Sequence, residues 1–227
     1  MERRYRIAVL GGTGAEGSEL ALRLAAAGHS VTIGSRDAEK AKASAAELTA
    51  MLDGGTIEAA DNRHAAGAAE IAILTVPYAA QKATVESVLA ELQNKILIDA
   101  TVPLVPPRVS RVQLPPGGAA VAAIQQLAGD KVRVVSAFQN VSAHHLKELG
   151  HAVDCDVLIC GDDNAACEIV IGLAQDIGLR GLYAGPICNS VAAEALTSIL
   201  IAINRRYKVP SSGIRITGIP ERSPEKS

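Results

Sequence analysis

Short aliphatic runs alternate with longer Ala-rich stretches along the chain, and this two-beat pattern dominates its first hundred residues. Runs at 6–10, 30–34, 70–76 and 95–100 read as strands, and the stretches at 17–27, 38–51 and 79–92 read as helices. The strand runs are almost continuously apolar rather than alternating, as expected for strands covered on both faces. A β-α-β-α-β order with short connections implies right-handed crossovers and a parallel sheet. The predicted fold class is therefore α/β, a Rossmann-type doubly wound parallel sheet.

The middle of the chain is less regular. Residues 101–118 carry five prolines and two glycines, which predicts a loop crossing the carboxyl edge of the sheet or wrapping a ligand. A helix is predicted over 119–127, strands over 131–138 and 153–160, and a helix over 164–177. A short strand at 178–183 and a last long helix at 188–206 follow, and from Val209 the chain is rich in Pro, Gly and Ser. The expected organisation is a main domain over 1–150 and a smaller C-terminal lobe over 151–227. That boundary is soft, because 153–183 could simply extend the same sheet.

Composition sharpens this picture in two ways. With four Tyr, one Phe and no Trp, the core has to be built from Ala, Val, Leu and Ile. The net charge of −2 gives no electrostatic case for a nucleic-acid or membrane partner. Cys155, Cys160, Cys167 and Cys188 lack metal-ligand spacing and read as free thiols in a reducing cytosol, so no metal is expected. The apolar run at 7–10 is too short for a signal peptide. The run at 191–203 contains Glu194 and falls short of the ~20 residues that a membrane span requires. A cytoplasmic protein is expected.

The strongest chemical signal is Gly12-Thr13-Gly14-Ala15-Glu16-Gly17, a G-x-G-x-x-G pattern directly after a strand and at the start of a helix. Its early glycines let the backbone turn tightly and approach a pyrophosphate, and Gly17 lets the helix sit close to the strand. The helix amino end offers N–H groups and a partial positive charge to phosphates. A phosphate-binding P-loop is excluded, because Ser18 stands where its lysine would be.

The end of the second strand selects the nucleotide. An NAD enzyme carries an acidic residue there for the ribose 2′-hydroxyl. This chain has Ser35 and Arg36, with Lys40 a turn further on, a hydroxyl and two cations suited to a 2′-phosphate. Asp37 reads as the N-cap of the next helix. The expected nucleotide is NADP(H).

Further segments are more distinctive: AILTVPY at 72–78, VVSAFQNVSA at 134–143, VDCDVLICGDD at 153–163, AGPICNS at 184–190 and NRRYKVPSSGIRITG at 204–218. Together with the glycine turn and VTIGSRDAEKA they make the chain resemble the F420:NADP oxidoreductases, the NADPH-dependent reductases of the deazaflavin coenzyme F420. The resemblance implies direct hydride transfer between nicotinamide C4 and deazaflavin C5, with the two rings stacked at the carboxyl ends of the strands. It places Thr13, Gly14, Ala15 and Glu16 on the pyrophosphate and Ser35, Arg36 and Lys40 on the 2′-phosphate. Val76, Pro77 and Tyr78 would line the nicotinamide side. Gln139, Val141 and Ala143 would face the ring pair, and Ser212 with Gly213 would close the deazaflavin side. Some relatives carry a histidine in place of Gln139, so no proton role is carried over to it. The resemblance, with the apolar last helix, also implies a homodimer.

Hydride transfer requires no nucleophile, since the cofactors carry the chemistry and the protein positions them. The sequence accordingly offers no catalytic residue in the usual sense, and Gln139 and Val141 are ring-positioning candidates. Asp162 and Asp163 read as a strand end or N-cap, and Asp99 could orient a loop. Arg205, Arg206, Lys208 and Arg215 suit either the anionic tail of the deazaflavin or simply the carboxyl end of a helix. Two other readings stay open: an NADP-sensing domain without catalysis, and an NADP reductase acting on another small substrate.

Overall fold

The computed structural model describes residues 3–146, 149 and 153–219. The first half runs β1 (Arg6–Leu10), α1 (Ala15–Ala26), β2 (Ser30–Ser35), α2 (Ala38–Ala50), β3 (Ile57–Asp61), α3 (Asn62–Ala68), β4 (Ile71–Leu74), α4 (Tyr78–Val88) and β5 (Ile96–Asp99). It continues with α5 (Ala120–Ala128), β6 (Arg133–Ser136), α6 (Ala143–Leu146), β7 (Asp156–Gly161), α7 (Asn164–Asp176), β8 (Arg180–Tyr183) and α8 (Ser190–Tyr207).

All eight strands join one sheet in the order β3-β2-β1-β4-β5-β6-β7-β8. Strands β1 to β6 are parallel, which is the expected doubly wound sheet, whereas β7 pairs antiparallel to β6 and parallel to β8. An antiparallel neighbour needs no crossover back to the far edge, so β7 starts near where β6 ends. The sheet thus continues past the expected boundary between 150 and 151, and those two residues lie outside the described ones.

The pleat divides the apolar residues into two cores. Ile7, Val9, Ile71, Ile73, Ile96 and Ile98 pack with Leu20, Leu24, Ala41 and Val170, under α1, α2 and α7. Ala8, Leu10, Ala72, Leu74, Leu97 and Val134 pack with Ala65, Val85 and Ile124, under α3, α4 and α5. Burial on both faces explains the unbroken aliphatic runs, and each such side chain contributes roughly 1.5–3 kcal/mol.

β3 and α3 escape the sequence pattern, as does the short α6. β3 reads Ile-Glu-Ala-Ala-Asp and occupies the sheet edge, where Glu58 and Asp61 stay exposed. α3 is only seven residues long, started by the Asp61 carboxylate accepting from the N–H groups of Arg63 and His64.

α8 packs on α5. Together with the preceding 3-10 turn it forms a stretch of 21 residues, Ile187–Tyr207, whose apolar 18-residue window has mean hydropathy 1.5. Its inward face carries Ser190, Glu194 and Ser198, all buried. Glu194 accepts from the N–H groups of Ala120 and Val121 at 2.7 and 3.1 Å and from Ser190 Oγ at 3.0 Å. A carboxylate on one helix therefore caps another.

Candidate active site

In a doubly wound sheet ligands bind where the strand order reverses, outside the carboxyl ends of the strands. Here that point lies between β1 and β4. The helices around it differ in how their amino ends are closed. Asp37, Asp61 and Asp163 cap α2, α3 and α7 with their own side chains, and Glu194 caps α5 from a distance. α1 and α4, which flank the reversal, start at Gly14 and Pro77 with no side-chain cap. The first backbone bond of α1 runs from Ser18 N–H to Gly14 O at 2.9 Å. The N–H groups of Ala15, Glu16 and Gly17 have no acceptor among the described residues.

The glycines of the turn have separate steric duties. A Cβ on Gly17 would lie 2.5 Å from Thr75 Oγ1 and 2.8 Å from Gly12 Cα, so α1 can approach β4 only without one. A Cβ on Gly12 would lie 2.9 Å from Val9 O. Gly14 meets only Gly11 O, at 3.5 Å, and its other side is open, as close approach of a ligand to the backbone requires.

A cavity of about 200 Å³ fills this corner, lined by the turn at Gly11, Thr13 and Gly14, by Ser35 and Arg36, and by Val76 and Pro77. Three segments far apart in sequence thus meet as expected. Gly12 and Gly17 are buried beneath the cavity rather than facing it. Ser35 Oγ accepts from Asp37 N–H at 3.1 Å and keeps its own proton to donate. Lys40 is exposed and outside the lining. Tyr78 faces a different cavity of about 600 Å³, between α4, α5 and Pro115–Pro116.

Asn62 and Thr84 also line this corner, and neither was predicted. Asn62 Oδ1 is buried without a hydrogen-bond partner among the described residues. No turn pattern marks it in the sequence, because it opens the overlooked helix α3.

Behind the turn lies a set of polar groups, Asp99, Ser136 and Gln139 buried and Glu16 half-buried. The Glu16 carboxyl is enclosed, and burial first, then the nearby Asp99, pushes its pKa up to about 8. Asp99 is wholly buried at the end of β5, where burial raises it to about 6 against hydrogen bonds from Thr101 and Gln81. Its carboxylate accepts from Thr101 N–H at 2.9 Å and Gln81 Nε2 at 2.7 Å, so it pins the start of the Pro-rich loop to α4. This is the orienting role expected for it.

Gln139, also buried, donates through Nε2 to Asp99 O at 2.7 Å and Ser136 Oγ at 2.9 Å. Its Oε1 has no partner among the described residues. The preceding Phe138 has φ +76°, rare for a bulky side chain, and this turn carries Gln139 back against β5. Val141 is buried beside it, and Ala143 begins α6.

The tail lies across the start of β7. Asp156 N–H donates to Ile214 O at 2.8 Å, and Ile216 N–H donates to Asp156 Oδ2 at 2.6 Å. Asn140 Nδ2 donates to Asp156 O at 2.6 Å, so the tail and the Gln139 segment share one anchor. A Cβ on Gly213 would lie 2.7 Å from Cys155 Sγ. Its bareness serves this packing, and a bulky residue there would lift the tail whatever binds beside it. Ser211 Oγ and Ser212 Oγ are buried without partners among the described residues. Arg215 pairs with Asp154 at 3.0 Å, and Arg205 Nη1 donates to Ser110 Oγ at 3.0 Å, tying α8 to the Pro-rich loop.

Residues 6–103 match the family model described as NADP oxidoreductase coenzyme F420-dependent. The F420-dependent NADP reductase of Methanothermobacter thermautotrophicus is 42% identical over 95% of this chain and 96% of its own length. That of Methanocaldococcus jannaschii is 39% identical over 94% and 99%. The chain belongs to the F420-dependent NADP reductases. A crystal structure from Arthrobacter, named as a candidate F420-dependent NADP reductase, superposes with a TM-score of 0.79 at 25% identity, over 93% of this chain and 99% of that one. An imine reductase from Myxococcus stipitatus shares the fold, with a TM-score of 0.62 at 19% identity over 92% of this chain and 68% of that one.

Among the described residues of this reductase, no group of three His, Cys, Asp or Glu side chains is placed to hold a metal. The caps resolve two further expectations: Asp163 accepts from Ala166 N–H at 2.7 Å, and Asp162 accepts from Ile187 N–H at 2.9 Å. Both carboxylates are structural.

Proposed function

We propose that the β1/β4 corner holds NADP(H) and that the ring pair of the hydride transfer sits over the ends of β4, β5 and β6. The observation that carries this reading is the meeting of the glycine turn, Ser35–Arg36 and Val76–Pro77 on one cavity. The open face of Gly14 and the free N–H groups of the first α1 turn suit a pyrophosphate. Ser35 and Arg36 offer a hydroxyl and a guanidinium to a 2′-phosphate. The bound pair supplies the redox chemistry, a hydride passing between nicotinamide C4 and deazaflavin C5 of F420.

What the chain contributes is position. Val76 and Pro77 form the wall against which the nicotinamide rests, and Tyr78, turned toward the neighbouring cavity, takes no part in that wall. Gln139 has both amide hydrogens engaged, so toward a ligand it acts only as an acceptor. Val141 and Ala143 complete the apolar side. Ser212 and Gly213, with the unpartnered Ser211 and Ser212 hydroxyls, form the deazaflavin side. Orienting two bound reactants lowers the barrier by as much as ~7–11 kcal/mol. The first 150 residues serve as the nucleotide domain, and the segment beyond them completes the second site.

We further infer a cytoplasmic homodimer formed through α8, whose outer face exposes Ile199 and Ile203. The functional test is spectroscopic: oxidised F420 absorbs in the visible and bleaches on reduction. The purified chain is expected to bleach F420 with NADPH and far more slowly with NADH. Absence of bleaching with either nucleotide would refute the reading.

A further inference from the structure

The opposite edge of the sheet holds a further cavity that the redox reaction does not use. It has a volume of about 450 Å³ and is lined by residues at the amino ends of β1, β4, β5 and β6. With strands rising about 3.3 Å per residue, it lies about 15 Å from the glycine turn, beyond reach of the reacting rings.

Four cations line it, Arg3, Arg6, Lys95 and Arg133, against a single carboxylate, Glu70. Part of this charge has structural work. Lys95 Nζ donates to Ala66 O and Gly67 O at 2.7 and 2.8 Å, and Arg6 Nε donates to Ala68 O at 3.0 Å, so both close the carboxyl end of α3. Arg3 pairs with Glu70 at 3.3 Å and lies over the Tyr5 ring.

Those contacts leave positive charge uncompensated. Glu70 is already shared, accepting from Arg6 N–H at 3.1 Å as well as from Arg3. Arg133, half-buried at the start of β6, donates its backbone N–H to Lys95 O at 3.1 Å, while its guanidinium makes no hydrogen bond or ion pair among the described residues. Burial, followed by repulsion from Arg6, holds the Lys95 ammonium below its ordinary value. In a chain of net charge −2, cations are here kept together at a cost that a bound anion would relieve.

We propose that this amino-edge cavity binds a small phosphorylated anion, separate from the nucleotide in the β1/β4 corner. A multivalent anion matches the excess, since a lone carboxylate would leave most of it uncompensated. Three of the four cations are guanidinium forks, whose paired donors fit phosphate oxygens. The cavity volume falls within the range of small-molecule sites, at the size of a pyrophosphate or a mononucleotide.

Calorimetric titration of inorganic pyrophosphate into the full chain saturated with NADP+ tests this, because the Ser35–Arg36 corner is then filled. One site per chain is expected. Arg133→Glu should weaken pyrophosphate at least tenfold while leaving the NADPH dissociation constant unchanged. Arg3→Glu, at an exposed position that endangers the fold little, should weaken it in the same direction. The proposal is overturned if the unaltered chain binds no pyrophosphate, or if both variants bind it as tightly as the unaltered chain. Loss of binding on Arg206→Glu instead would move the anion to the C-terminal cations and equally overturn it.

Discussion

Arg36 is exposed at the rim of the β1/β4 corner, so its contribution to nucleotide choice rests on a solvent-screened contact with one phosphate. Arg36→Glu replaces that attraction with repulsion. NADPH affinity should fall tenfold or more, about 1.4 kcal/mol or above, while NADH affinity barely changes. Equal loss for both nucleotides in a binding titration would remove the 2′-phosphate from this position. Glu16 makes a second prediction, because a carboxylate beside a pyrophosphate repels it unless protonated. With its pKa pushed up to about 8, Glu16 is neutral at pH 7. NADPH affinity should therefore decline as pH rises through about 8, and Glu16→Gln should flatten that decline. An unchanged slope in the variant would clear Glu16 of the effect. The place of Ser35 and Arg36 beside the glycine turn was legible, because they follow the second strand of a β-α-β unit. The state of Glu16 was not, since its neutrality comes from enclosure and from Asp99, 83 positions away in the chain.

Elements were legible in proportion to how fully they are buried. β1, β4 and β5 are wrapped on both faces and announce themselves as aliphatic runs, whereas the edge strand β3 carries charges and reads as a loop. The Glu194 cap of α5 joins residues 74 positions apart, and no local pattern could reveal it. The tail is a comparable case, held by Asp156, which Arg180 grips through Nε and Nη2 at 2.7 and 2.6 Å. Burial opposes the charged form of Asp156, but Arg180, the Ile216 N–H and Arg215 outweigh it and hold its pKa below the ordinary value. The stability this contributes is present above the ordinary aspartate pKa and is lost as pH falls below it. Asp156→Ala removes both ion-pair bonds of the partly buried Arg180 and should cost ~3–5 kcal/mol at neutral pH, read as a lower Tm. The same variant should weaken F420 binding in a fluorescence titration and spare NADPH. An unchanged Tm would show that the tail is anchored elsewhere.

At the scale of the whole molecule, α8 has two faces with different duties. The inner face is committed to α5 through Glu194 and to the Gln139 segment through Thr197 Oγ1, which donates to Gln139 O at 2.7 Å. The outer face leaves Ile199 47% and Ile203 36% exposed, and the proposed homodimer pairs through it. Ile199→Glu should therefore shift sedimentation toward a monomer, and a monomeric parent chain would contradict the pairing. The sequence shows α8 as apolar but not which side is covered, because a core helix and an interface helix share that composition. On the proposed reading, the corner, the Gln139 segment and the tail serve one reaction across the carboxyl edge of the sheet, with no protein group carrying the hydrogen. NADPH deuterated at C4 on the transferred face, mixed with the purified chain and F420, is the most direct test. The deuterium should appear at C5 of reduced F420, with none lost to solvent. Solvent hydrogen at that carbon would contradict direct transfer and require a protein acid in the path of the hydrogen.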